Sequence, residues 1–74
     1  MINMYQFDPD KIYFIKKEGD SVCYQPATIE QKEYITFLNQ EAEKAVQSGY
    51  SEEMCFQLTG LLLTTQIGEF VIEG

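Results

Sequence analysis

The sequence predicts a small α+β domain of two layers, in which an antiparallel sheet packs on two helices in the order β-β-α-α-β. Three observations lead to this fold class. Two runs rich in β-branched and aromatic residues flank a glycine at position 19, a long segment with helical apolar spacing follows, and another β-type run covers residues 69–73. A chain of 74 residues has room for one domain, so we expect residues 1–74 to fold together.

The first two strands are expected to form a β-hairpin. Residues 11–17 contain Ile, Tyr and Phe, and residues 21–25 contain Val, Cys and Tyr, which are side-chain types that suit a pleated sheet. The intervening residues 18–20 include Gly19, which adopts positive φ without a steric penalty. Pro26 then ends the second strand, because proline cannot donate a hydrogen bond to the ladder.

A long helix is predicted over residues 28–48. Thr28 and Gln31 form a capping box, in which the threonine hydroxyl accepts from the backbone of residue 31 and the glutamine side chain reaches back. Gly49 supplies the left-handed residue that ends many helices. One face of the helix is apolar at helical spacing. It consists of Tyr34, Ile35, Leu38, Ala42, Ala45 and Val46.

The segment that follows fits a helix or a strand. Ser51, followed by Glu52 and Glu53, is typical of a helix start, and the length of the segment also favours a helix. Gly60, Thr64 and Thr65 weaken the helical interpretation, because glycine and threonine have low helix propensity. As a strand, residues 54–64 would pair with residues 68–73 and give the alternative order β-β-α-β-β.

As a helix, this segment is apolar around nearly its whole circumference. Its expected main face consists of Met54, Leu58, Leu61, Leu62 and Thr65. Phe56 and Leu63 fall on the opposite side, away from that face. Such a helix belongs at the centre of a fold or against another subunit, so we expect the chain to form a homodimer.

Charge and residue inventory exclude several function classes. The chain carries twelve carboxylates against five lysines, a formal net charge of −7, and it has neither histidine nor arginine. A surface this acidic repels nucleic acid and anionic lipid, so we expect no direct binding to either. Nucleophilic catalysis lacks its usual base, and metal sites lack their commonest ligand. We therefore expect no enzymatic activity, no cofactor and no metal.

The two cysteines are expected to be half-buried structural thiols. The start of the sequence has neither the basic region nor the apolar run of a secretory signal peptide, so we expect a cytoplasmic protein. In that compartment Cys23 and Cys55 stay reduced. The three consecutive leucines at residues 61–63, like the other apolar runs of the sequence, fall far below the ~20 residues that a transmembrane helix needs.

One stripe of the first predicted helix is a candidate partner-binding site. At ~100° per residue, Glu30, Glu33, Phe37 and Glu41 lie together, away from the apolar face. An aromatic side chain among carboxylates suits a basic partner that has an apolar pocket. The first interpretation leaves Phe37 exposed. In the alternative, Phe37 packs beneath an N-terminal arm formed by residues 1–10, against Tyr5 or Phe7.

Two hypotheses of function follow from these features. The first is a small, non-enzymatic intracellular protein that binds a basic surface of a partner protein, as an inhibitor, antidote or regulator does. The alternative is a structural or assembly subunit that forms a homo-oligomer through residues 54–63. They differ in the surface that each requires: an exposed acidic face in the first, and a large apolar self-interface in the second.

Overall fold

The structure is a computed structural model and describes residues 6–73. In chain order its elements are a 3-10 turn at Pro9–Lys11, β1 at Ile12–Glu18, β2 at Ser21–Pro26, α1 at Ile29–Gln47, α2 at Glu52–Gln66 and β3 at Phe70–Ile72. The predicted α+β fold class and the order β-β-α-α-β are confirmed. The alternative order with a second hairpin is wrong, because the ambiguous segment is a helix.

The sheet is antiparallel, and β1 lies between its two neighbours in the order β2-β1-β3. Ile12 lies opposite Ile72 of β3, and Phe14 lies opposite Phe70. Side chains alternate between the two faces of a strand, and here Ile12 and Phe14 are buried in the core. Beyond them, residues 16–18 and the whole of β2 are exposed on both faces. The outer half of the hairpin therefore contributes surface and not core.

The first helix forms as its local signals predict. The Thr28 hydroxyl accepts a hydrogen bond from the Gln31 backbone at 3.1 Å, and the Gln31 side chain accepts one from the Thr28 backbone at 2.9 Å. Gly49 follows the helix with a φ of 108°. The expected inner face of α1 is confirmed, because Ile35, Leu38 and Ala42 are buried. The other residues of that face, Tyr34, Ala45 and Val46, are partly buried and pack against the core.

The cap of α1 gives a direct test of this local interpretation. We expect Thr28→Ala to lower the free energy of unfolding by about 1 kcal/mol, because the Gln31 backbone loses its partner at the helix start. Thr36→Ala is the matched control, since the Thr36 hydroxyl only donates to the Lys32 carbonyl within the same helix, at 2.9 Å. Urea unfolding of both variants measures the difference. Equal stabilities would show that the capping box contributes nothing.

The core lies between the sheet and the two helices. Its main cluster consists of Phe7, Ile12, Phe14, Ala27, Ile35, Leu38 and Leu63. The Phe7 ring stacks on the Phe56 ring, with centroids 4.4 Å apart, and its edge meets Phe70 at 5.7 Å. The Asn39 amide holds the Phe7 backbone with two hydrogen bonds, at 2.9 and 2.7 Å. The segment that leads into β1 is thus fixed by both a buried ring and a helix side chain.

The inward face of α2 is not the face that the sequence favoured. Leu63 is fully buried, whereas Leu61 is 61% exposed. Cys55 and Thr59 are also buried. The inward face also includes Gly60, where a Cβ would lie 3.6 Å from the Phe7 ring, at ordinary van der Waals contact. The expected main face, from Met54 to Thr65, therefore faces outward, and the helix is not central to the fold.

The two cysteines have different surroundings. Cys55 is buried beside Ala42 in a small cluster between the two helices. Cys23 is exposed on β2, so the expectation that both thiols are half-buried is wrong. The reason is the position of β2, which lies at the edge of the sheet beyond the cover of the helices. Neither thiol is in a disulfide.

Candidate functional site

The outer face of α1 holds a shallow, open cleft of about 360 Å³. Its lining residues are Ile29, Lys32, Glu33, Thr36, Phe37 and Gln40. Two of the predicted site residues, Glu33 and Phe37, are among them. The cleft is thus the place where the predicted aromatic residue and one of its carboxylates meet.

Phe37 is on the surface. Its side chain is 52% exposed, although it is one of the largest apolar groups in the chain. The alternative that it packs against Phe7 is wrong, because the Phe7 ring is buried against Phe56. Tyr5, the other residue of that alternative, lies outside the described residues. An exposed phenylalanine next to a cleft offers a flat apolar group to a partner.

Ile29 supplies a second apolar wall that sequence reasoning missed. It is 78% exposed at the first position of α1, eight residues before Phe37. Residues spaced by four and eight lie on the same helix face, so the two apolar side chains lie one turn either side of Glu33. The spacing of four residues from Ile29 to Glu33, and of four more to Phe37, is the signal that could have identified it.

The other two predicted residues lie apart from this cleft. Glu30 lines a separate depression of about 260 Å³, together with Tyr34 and Ile67. Glu41 is one helical turn beyond Phe37, does not line the cleft, and pairs with the Lys44 ammonium at 3.6 Å. The structure therefore divides the predicted stripe, because Glu30 faces the end of α2 while Glu41 has a cation of its own.

The charge inside the cleft belongs mainly to Glu33. Among the described residues Lys32 is the one cation that lines the cleft, and its ammonium lies 3.0 Å from the Asp10 carboxylate. Among residues 6–73, Glu33 takes part in no ion pair. Its exposed carboxylate is available to a cation from outside, between the two apolar side chains. Exposed pairs of this kind contribute little to stability.

Groups with reactive chemistry are not gathered here. Within residues 6–73, no three acidic or cysteine side chains lie close enough together to hold a metal ion. On the sheet, the Tyr13 hydroxyl donates to the Glu73 carboxylate at 3.2 Å. The negative charge of Glu73 and this hydrogen bond raise the pKa of Tyr13 above its ordinary value. A tyrosine is ordinarily protonated at neutral pH, and this shift favours the same form, in which the hydroxyl is a poor nucleophile.

Comparison with protein-family models, curated proteins and solved structures gives no match to this chain. A proposal of function must therefore rest on the surface of the protein itself. Neither of the helices in the described residues is both long and apolar enough to cross a membrane. The two apolar surfaces with the clearest geometry are the α1 cleft and the outer face of α2.

Proposed function

We propose that this protein is a non-enzymatic binding domain that engages a basic surface of a partner protein through the α1 cleft. The observation that carries the proposal is the half-exposed Phe37 beside the unpaired Glu33 carboxylate. Large aromatic side chains at a cleft are common anchors of protein interfaces, whereas solvent-exposed carboxylates mainly affect the association rate. An inhibitor, antidote or regulator acts in this way, by covering a surface that its partner needs.

The cleft suits a particular pattern on the partner. An apolar side chain would enter between Ile29 and Phe37, and a neighbouring lysine or arginine would reach Glu33. The whole-chain charge of −7 would accelerate approach to a basic surface before these contacts form. We expect the protein to act in the cytoplasm, where the exposed Cys23 remains a free thiol.

Binding should therefore be tested with matched variants of the full chain. Immobilised wild-type protein and its Phe37→Ala variant are incubated with native cell extract, together with a Tyr50→Ala control. Tyr50 is also an exposed aromatic residue but does not line the cleft. We expect the partner to be a protein retained by the wild type and by Tyr50→Ala and lost with Phe37→Ala. Equal retention by all three would contradict the proposed site.

Association rates measured with the captured partner then show how much the charge of Glu33 contributes to binding. Glu33→Lys should slow association roughly three- to tenfold at low salt, because it reverses the charge at the cleft. Glu43→Lys makes the same change at an exposed position of α1 that does not line the cleft, so its effect should be smaller. Added salt should reduce both effects. Identical effects would show that only net charge matters and not Glu33.

A second candidate function is favoured by α2. Its outer face exposes Met54, Leu58, Leu61 and Leu62. Contiguous exposed apolar surface marks contact sites, so the chain could instead serve as a subunit that assembles with copies of itself. The two functions use different surfaces, and substitutions on one surface leave the other unchanged.

A further inference from the structure

The outer face of α2 has the spacing of a two-helix seam. Met54, Leu58, Leu61 and Thr65 succeed one another at intervals of four, three and four residues. This is the alternation that places side chains along the contact line of two paired helices. The four residues are exposed, whereas Cys55, Thr59 and Leu63 of the same helix are buried, so α2 presents one apolar face to the core and another to solvent. The seam is defined here by those four outer residues.

Beyond Glu53 at its start, the flanks of the seam carry no charge. Residues 54–68 form an uncharged run in a chain whose net charge is −7. The positions that border the seam are Gln57, Leu62 and Thr64, all of them exposed. At the start of the seam the Glu53 carboxylate accepts a hydrogen bond from Gln57 at 3.5 Å, and along the rest of the seam a second acidic chain would meet no carboxylate. Since two copies of this acidic chain repel over most of their surface, this is where they can approach most closely.

We propose that α2 pairs antiparallel with α2 of a second copy, along this seam. A two-fold axis between Leu58 and Leu61 would set each Leu58 against Leu61 of the other copy, and each Met54 against Thr65. A two-fold interface must be complementary to itself. The seam meets this condition, because leucine opposes leucine at its centre and a long side chain opposes a short one at each end.

The antiparallel direction follows from charge at the helix start. Glu52 and Glu53 lie in the first turn of α2, and the last turn has no charged side chain. Parallel pairing would bring four carboxylates together, whereas antiparallel pairing sets Glu53 beside Gln66 of the other copy. Like charges at close range disfavour the parallel arrangement, and antiparallel helix dipoles also attract each other.

The length of the seam sets the strength expected of the dimer. α2 has fifteen residues and is about 22 Å long at ~1.5 Å per residue. The seam occupies about three turns of it, which is a small interface by the standard of stable dimers. We therefore expect reversible association with a dissociation constant of about 10 µM to 100 µM, and a monomer at high dilution.

Sedimentation of the full chain from about 1 µM to 1 mM tests the proposal, because this range spans the expected constant. The wild type should pass from monomer to dimer, and Leu61→Glu should stay monomeric. Ile29→Glu is the matched control, since it places the same charge on an exposed apolar residue of α1 and should leave the dimer intact. Circular dichroism checks that each variant is folded. A wild-type monomer throughout, or an intact dimer of folded Leu61→Glu, would overturn the proposal.

Disulfide trapping tests the direction. In a Cys23→Ser background, the double variant Met54→Cys/Thr65→Cys should form a covalent dimer under mild oxidation with oxidised glutathione, and an equimolar mixture of the two single variants should do so too. Each single variant alone should remain uncrosslinked. Efficient crosslinking of either single variant alone would indicate parallel pairing and overturn the antiparallel assignment, as would the absence of any covalent dimer from the double variant.

The seam and the α1 cleft are separate surfaces, so variants of the two should have different effects. Leu61→Glu should abolish self-association and retain the partner protein, whereas Phe37→Ala should lose the partner and retain the dimer. Loss of both properties in either folded variant would show that the two surfaces are one interface, and this would overturn the separate seam.

Discussion

Leu63→Ala is expected to lower the free energy of unfolding by about 3 kcal/mol, since it removes a fully buried leucine and leaves a cavity. Leu61→Ala, two residues earlier in the same helix, should lower it by less than about 0.5 kcal/mol, because that side chain is 61% exposed. The chemical change is identical in the two variants. The difference between them therefore reports which face of α2 contacts the core.

Urea unfolding at low micromolar concentration measures both values without a contribution from self-association. Repeating it near 1 mM adds a second comparison, because the Leu61→Ala variant should then fall below the wild type if the seam pairs two copies. A large loss for Leu61→Ala at high dilution would contradict the orientation of α2. Equal, small losses for both variants would mean that neither face is packed.

Local signals predicted those parts of the fold that depend on nearby residues alone. The capping box at Thr28 and the glycine at position 49 bound α1, and both act within a few residues. Gly19 likewise makes the hairpin turn with a φ of 61°. The inner face of α1 was also correctly predicted, because Ile35, Leu38 and Ala42 recur at helical spacing.

The orientation of α2 could not be predicted in the same way. Residues 61–63 are all leucine, so apolar periodicity has no contrast with which to choose a face. The choice depends on contacts between distant parts of the chain. Phe7 and Phe70 pack against the backbone at Gly60, and a glycine inside a predicted helix gave only a reason to doubt the helix.

The candidate site was predicted in part for a related reason. The helical wheel placed Glu33 and Phe37 together, since positions four residues apart share a face. It also grouped Glu30 with them, but the end of α2 lies beside Glu30 and makes a separate depression there. The ion pairs of Lys32 with Asp10 and of Lys44 with Glu41 decide which carboxylates remain available. The pair of Lys32 with Asp10 joins residues that are far apart in the sequence, so helical spacing alone does not predict it.

Phe7→Ala should produce the largest loss of stability, about 4 kcal/mol, because Phe7 is 5% exposed and fills the centre of the aromatic cluster. Its removal abolishes the 4.4 Å stack with Phe56 and the edge contact with Phe70. The two hydrogen bonds between the Asn39 amide and the backbone of residue 7 would then hold a segment that has lost its buried ring. Thermal unfolding should show a fall in Tm of more than 10 °C.

Phe37→Ala is the natural counterpart, since it makes the same change on the surface of α1. It should alter the free energy of unfolding by less than about 0.5 kcal/mol. If Phe37 anchors a partner, the same variant should weaken that complex by about 2 kcal/mol, mostly through dissociation about thirtyfold faster. A large fall in Tm for Phe37→Ala would place this ring in the core and remove the central residue of the proposed site. Unchanged stability together with unchanged dissociation would place the contact elsewhere on the surface. The pair of phenylalanines thus separates the residue that holds the fold together from the residue proposed to act outward.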